Sequence, residues 1–252
     1  MPYRRVRPVL TATVVAALLL SCASPVGAAE RLRPLGDSSP LGDERLSNER
    51  TLTRWAHAVA RRPIRLRPAQ GSRRVGRVRL LTEDGYPEVY LVLRSRRVAR
   101  RQVWLQVRIP ARPNGQTGWV PQRALGVLAV VRTALTIDRQ HSMATLRRAG
   151  RRIWRAQVGH GAPGTPTPAG RFYIRERIRN LTGDPLYGPW AFGTSAYSGL
   201  SDWPGGGVIG IHGTNQPGLI PGRPSHGCVR LRNSDIERLV RLMPIGTPIR
   251  IR

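Results

Sequence analysis

Lysine is missing altogether: all 42 basic residues among the 252 are arginine. Its absence removes Schiff-base and amine-nucleophile chemistry, which needs a lysine amine. So complete an exclusion suits a GC-rich coding bias better than a dedicated binding patch. Acidic residues are scarce, 14 in all, which leaves a formal net charge of +28. Aromatic residues make up only 6%, so the six Trp read as packing anchors. Long apolar runs are lacking too. The chief one, Val9 to Leu20, falls short of the ~20 residues a helix needs to span a bilayer. What is present is 40% hydrophobic residues with 27 Gly and 22 Pro. That balance describes a globular, loop-rich chain, long enough for one large or two small domains.

A charge this positive points first to nucleic acid, and the N-terminus argues against it. Arg4, Arg5 and Arg7 precede the Val9–Leu20 run, and small and polar residues follow, the order of a secretory signal. Residues 1–29 are therefore expected to direct export. Two exits stay open. Leu19-Leu20-Ser21-Cys22 resembles a lipoprotein box in which Cys22 would be acylated, and Val26-Gly27-Ala28-Ala29 offers ordinary cleavage. The expected setting is extracytoplasmic, with acidic polymers rather than nucleic acid as partners and membrane contact only through a lipid on Cys22. Cysteine is nearly absent, with Cys22 and Cys228 the two present. If Cys22 is removed or lipidated, Cys228 has no partner within the chain, in a compartment where free thiols are uncommon.

Residues 30–52 carry Arg, Glu, Asp, Ser and Pro without apolar periodicity and read as a linker. Short strand signals follow at Val89–Ser95, Val103–Ile109 and Thr117–Pro121, with turn chemistry at Pro113-Asn114-Gly115. This region, 53–127, resembles bacterial SH3-like domains, mainly over Val103 to Val120. Trp104 and Trp119 read as core packing, with ligand stacking the alternative. From residue 128 a new alternation of apolar and polar residues begins, and 128–252 is expected to be a second domain. Thr165-Pro166-Thr167-Pro168 forbids a helix or central strand and reads as a loop. The Gly-, Pro- and aromatic-rich stretch 179–207 reads as a long irregular lid. Asn233-Ser234-Asp235 resembles a helix start, with Ile236, Leu239, Val240 and Met243 at helical spacing. The fold class is mainly β with one or two helices.

The chemistry concentrates in Val208 to Ile236. Cys228 lies two residues from His226 and 16 from His212. A thiol has a free pKa of about 8.5 and needs a base or a positive neighbour to act at neutral pH; histidine is the usual partner. In an extended chain His226 and Cys228 would share one side. Gly227 permits a tight turn, so nearby amides could face a developing oxyanion. The residues alone thus describe a Cys–His acyl-transfer site. An upstream His-Gly, a Gly/Pro-rich loop and Ser225-His226-Gly227-Cys228-Val229-Arg230, together with Thr165 to Phe172, resemble the YkuD-type L,D-transpeptidase catalytic domain over roughly 128–252.

That resemblance implies a β-sandwich or barrel catalytic domain and peptidoglycan stem peptides as substrates. Cys228 would attack the third stem residue, release terminal D-alanine and pass the acyl group to an amine. His212 would be the base, oriented through the Gly213 carbonyl. The amides of His226, Gly227 and Cys228 would hold the oxyanion, Ser225 would support the site and Arg230 would hold a donor carboxylate. No cofactor and no metal are implied. Three rivals remain at this stage. They are a zinc site on His212, His226 and Cys228, a carboxypeptidase that passes the thioester to water, and a non-catalytic polyanion binder. His57, His141 and His160 receive structural readings, and none of Asp138, Asp184 and Asp202 is singled out as a third catalytic group.

Overall fold

The computed structural model describes residues 42–252 apart from 101, 181–182 and 201–203. The expected signal segment with Cys22, the first part of the linker, Asp202 and Trp203 lie outside the described residues. The described chain forms two β-sheets and one α-helix.

The first sheet uses β1 (Gly42–Arg45), β2 (Thr53–His57), β3 (Pro63–Arg65), β4 (Arg74–Arg77) and β5 (Val89–Ala99). It is completed by β6 (Gln102–Arg108), β7 (Thr117–Pro121) and β8 (Ala129–Val131). The long strand β5 organises it: β6 pairs along one edge, while β2 and β1 share the other, against Val89–Val92 and Arg94–Arg97. The sheet curls over Ile64, Tyr90, Val92, Leu105, Val107 and Val120. Trp104 and Trp119 are buried rather than displayed. Within residues 42–52, read from sequence as linker, β1 pairs with β5 and Leu46 joins the core of this sheet. Their charged side chains masked the strand, because β1 is exposed along its length. At the other end the run from Ala129 divides at Arg132. β8 pairs with β2, and the next strand begins the second sheet.

The second sheet contains β9 (Thr133–Asp138), β10 (Met143–Arg148), β11 (Arg151–Gln157), β12 (Gly159–Gly161) and β13 (Gly170–Arg179). It continues with β14 (Trp190–Tyr197), β15 (Val208–His212), β16 (Gly222–Ser225), β17 (Val229–Arg230) and β18 (Pro248–Ile251). Their spatial order is β11-β10-β9-β18-β13-β14-β15-β17-β12-β16. One correction to the sequence reading lies at its centre. The expected lid 179–207 contains β14, a core strand between β13 and β15 with Phe192 and Ala196 fully buried. Flanking Gly and Pro obscured it, and because 192–197 is buried at every position the strand carries no apolar–polar alternation to announce it. Helix α1 (Asn233–Leu242) lays Ile236, Leu239 and Val240 on the core, matching the expected spacing.

Polar groups as well as apolar ones seal the sheets together. Tyr173 packs on Val89 and Leu91 and donates to the Val89 carbonyl at 3.0 Å. The fully buried Arg175 guanidinium forks onto the Glu88 carboxylate and reaches Glu83 at 2.8 Å. Arg79 bonds the same two carboxylates from the first sheet. Burying a guanidinium is tolerable only when carboxylates compensate its lost hydration, and three oxygens do so here. The paired cations hold Glu83 down to about 2 against the opposing effect of burial.

Candidate active site

Strand β15 is short and apolar and ends at His212. β17 runs parallel beside it, with Ile211 opposite Val229 and His212 opposite Arg230. This register sets Cys228, the residue before β17, level with Gly210. The Gly210 N–H donates to Cys228 Sγ at 3.3 Å. A Cβ at position 210 would lie 3.7 Å from both Cys228 Sγ and His212 Cδ2. Sulfur and imidazole therefore flank the same bare stretch of backbone.

The imidazole is fixed from several sides. His212 Nδ1 lies 2.6 Å from the Gly213 carbonyl oxygen. A carbonyl can only accept, so Nδ1 carries the proton and Nε2 keeps the lone pair. The Tyr187 ring leans on the imidazole with centroids 4.9 Å apart. Gly213 owes its position to crowding: a Cβ there would collide with Asn233 Oδ1 and lie 3.1 Å from Gly188 Cα. Asn233, the first residue of α1, also accepts the Thr214 N–H at 2.9 Å. The residue read as a helix start thus clamps the turn after His212.

Burial sets the charge state. It pushes His212 down to about 4, outweighing the raising effect of the Gly213 carbonyl. It also pushes the Cys228 thiol up, against the lowering effects of the Gly210 N–H and Arg230. At neutral pH both groups are uncharged. The pair can pass a proton during attack but does not rest as thiolate and imidazolium.

The turn carrying the thiol is tied at three points. Ser225 Oγ donates to the Cys228 carbonyl at 2.6 Å and accepts the Gly227 N–H at 3.2 Å. Thr167 Oγ1 donates to the Gly227 carbonyl at 2.7 Å and accepts the Gly161 N–H at 2.9 Å. Gly227 has φ +128°, a conformation that suits glycine. This bend replaces the extended chain expected from sequence: His226 is exposed, while Cys228 is half-buried. Of the three amides assigned to an oxyanion, that of Gly227 is engaged by Ser225. Arg230 bonds Gln216 Oε1 at 2.9 Å, and its Nε is buried without a partner.

The structure therefore gathers Cys228, His212, Gly213, Ser225 and Gly227, with Arg230 beside them. Asp184 caps the turn Pro185–Tyr187 by accepting the Leu186 N–H, and Asp138 contacts the exposed His141. Among the described residues no three His, Cys, Asp or Glu side chains gather as a metal-binding set. Sequence reasoning missed Tyr187, Asn233 and Gly210. Thr167 was the most accessible of the missed residues, since it stands in the Thr-Pro-Thr-Pro loop already singled out.

Residues 132–251 match the model of the YkuD family, the L,D-transpeptidase catalytic domain. The chain is 37% identical over 87 residues to the YkuD protein of Bacillus subtilis, covering 34% of this chain and 46% of that one. It is 37% identical over 97 residues to the YbiS protein of Escherichia coli, covering 38% and 31%. Both relatives bear L,D-transpeptidase in their names, and the chain spans less than half the length of each. A solved L,D-transpeptidase from Mycobacterium tuberculosis aligns over 78% of this chain and 98% of its own, at 14% identity and a TM-score of 0.43.

Proposed function

Taking residues 132–251 as an L,D-transpeptidase catalytic domain of the YkuD family, we propose that the protein is an acyltransferase with Cys228 as nucleophile and His212 as base. The observation that carries this reading is the placement of the Cys228 sulfur and the His212 ring over Gly210, with Nδ1 occupied by the Gly213 carbonyl. Nε2 is then the nitrogen available to the thiol proton.

Cys228 Sγ attacks the carbonyl carbon of the third residue of a peptidoglycan stem peptide as its proton passes to Nε2. The bond to the terminal D-alanine nitrogen breaks, and that nitrogen takes the proton from the imidazolium. A thioester remains. An acceptor amine, losing its proton to Nε2, attacks the thioester; the C–S bond breaks and the sulfur recovers the proton. Positioned proton transfer of this kind contributes about 10²–10⁴-fold. The neutral resting pair suits it, because each charge appears only as the reaction proceeds. Backbone amides at the Cys228 turn receive the oxyanion, a donor there contributing about 10²–10³-fold. Arg230, with a buried unpartnered Nε, holds a carboxylate of the donor peptide. We place the reaction outside the cytoplasm, on the strength of the N-terminal signal pattern, where the arginine-rich surface meets acidic polymers.

Mass spectrometry tests the reading directly. Incubation with a stem tetrapeptide or a carbapenem is expected to leave a covalent adduct on Cys228, absent in Cys228→Ser and slowed about 10²–10⁴-fold in His212→Ala. No adduct from either reagent on the folded wild-type protein would overturn it.

A further inference from the structure

The loop joining β6 to β7 belongs to the first sheet, yet its side chains are spent on the second. Arg112 Nε donates to the Ser198 carbonyl at 3.0 Å, and Nη2 donates to the carbonyls of Leu200 at 2.9 Å and Gly206 at 3.0 Å. Its guanidinium carbon also lies 4.9 Å from the centre of the Tyr197 ring. Two residues on, Asn114 bonds both backbone groups of Tyr197: Nδ2 donates to the carbonyl at 2.8 Å, and Oδ1 accepts the N–H at 2.9 Å. One guanidinium thus fixes three carbonyls, a task suited to a rigid fork of donors and unsuited to a single ammonium. Gly207 accommodates the fork, since a Cβ there would stand 2.5 Å from Nη2.

The segment held in this way packs against the turn that precedes the thiol. Ser198 Oγ lies 3.5 Å from the His226 carbonyl and accepts the Leu200 N–H at 3.2 Å. A Cβ on Gly227 would meet Ser198 Oγ at 3.6 Å and Ile209 Cδ1 at 2.8 Å. The 226–228 turn is therefore backed by Ser198 and Ile209 and tied by Thr167. Thr167 is supplied by the second sheet's own loop; Ser198 is held by the first sheet.

We infer that Arg112 and Asn114 are positioning residues for the Cys228 turn, so that the first sheet completes the active site of the second. This rests on the acyl-transfer reading above. Without the fork, the backbone at Ser198, Leu200 and Gly206 loses its fixed backing and the turn gains freedom to move the sulfur and its neighbouring amides. A displacement near 1 Å can cost about 10²-fold in rate. Substrate groups held elsewhere would bind as before, so the loss falls on the acylation rate constant and not on the half-saturating concentration.

The test uses the full chain with two reagents. Carbapenem acylation, followed over a concentration series, should fall about 10–100-fold in maximal rate in Arg112→Ala. The half-saturating concentration should stay within about twofold. Asn114→Ala should fall in the same sense, and Arg112→Lys should recover only part of the loss. Iodoacetamide alkylation of Cys228 needs no transpeptidase chemistry. Its pH midpoint should move down in Arg112→Ala as water reaches the sulfur. Thr82→Val, which removes a different contact between the sheets, the hydrogen bond from Thr82 to Glu176, should keep wild-type values in both assays. If Arg112→Ala fails to fold, Arg112→Lys and Asn114→Asp carry the same readouts. Wild-type acylation and an unmoved alkylation midpoint in folded Arg112 and Asn114 variants would overturn the inference. Wild-type protein that alkylates but never acylates would instead sink the acyl-transfer reading, while the midpoint shift would still decide the positioning role.

Discussion

At the scale of single residues, the two groups that move the proton are both shifted by burial, in directions that keep them neutral. His212 must be unprotonated at Nε2 to accept from the thiol. Its pKa stands at about 4 in place of the ordinary 6.5, so acidification should not silence it until far below the usual histidine range. The acid limb of carbapenem acylation is therefore expected near pH 4, measured as initial adduct formation across pH 3.5 to 8. A limb near 6.5 would mean that the imidazole is open to water in solution. Cys228 was legible in the sequence from the pairing of a lone thiol with nearby histidines, whereas His212 as base and the orienting carbonyl of Gly213 came only through the family resemblance. Tyr187 and Asn233 came through neither. Tyr187 meets the imidazole and Asn233 holds the turn after it where Gly188 packs against Gly213, and neither spacing nor residue type announces those contacts.

Among the elements, the sequence spoke most clearly where periodicity and punctuation agreed, as in α1, and in the alternation after residue 128 that becomes β9 to β11. It failed at β1, where exposed charged side chains conceal a paired strand, and at β14, where surrounding Gly and Pro flank a strand buried on both faces and so lacking alternation. β14 also shows why its single glycine is needed. Gly193 lies opposite Glu176 on β13, and a Cβ there would collide with Oε1 and stand 2.7 Å from Cγ. Glu176 cannot retreat easily, being almost wholly buried and bonded to Thr82. Gly193→Ala is expected to destabilise the protein by about 1–3 kcal/mol, the usual range for overpacking, read from the denaturant midpoint at unchanged m-value. A neutral substitution would show that β13 and β14 can separate at this point.

Across the whole molecule, two buried sites at different places should pull stability in opposite directions as pH changes. His212 binds its proton more weakly folded than unfolded, so its contribution is complete above about 6.5 and is lost as pH falls toward 4. His160, buried and also shifted down by burial, acts in the same sense. Glu176 does the reverse. Burial raises it from 4.5 to about 7, so its stabilising contribution is complete below 4.5 and is lost as pH rises toward 7. Carboxylates held below their usual range by arginines, such as Glu49 and Glu83, give up their contribution as pH falls below the ordinary carboxylate range. Between pH 5 and 6.5 the histidine and glutamate contributions therefore oppose each other, and the wild-type melting temperature should change little. Glu176→Gln keeps an acceptor for Thr82 but removes the titration. In that variant the melting temperature should climb steadily from pH 5 to 6.5, the histidine contribution being no longer offset. Wild type and variant climbing in parallel would mean that Glu176 is ionised in the fold throughout this range, its unpartnered oxygen being met by water or by a shift of Arg175.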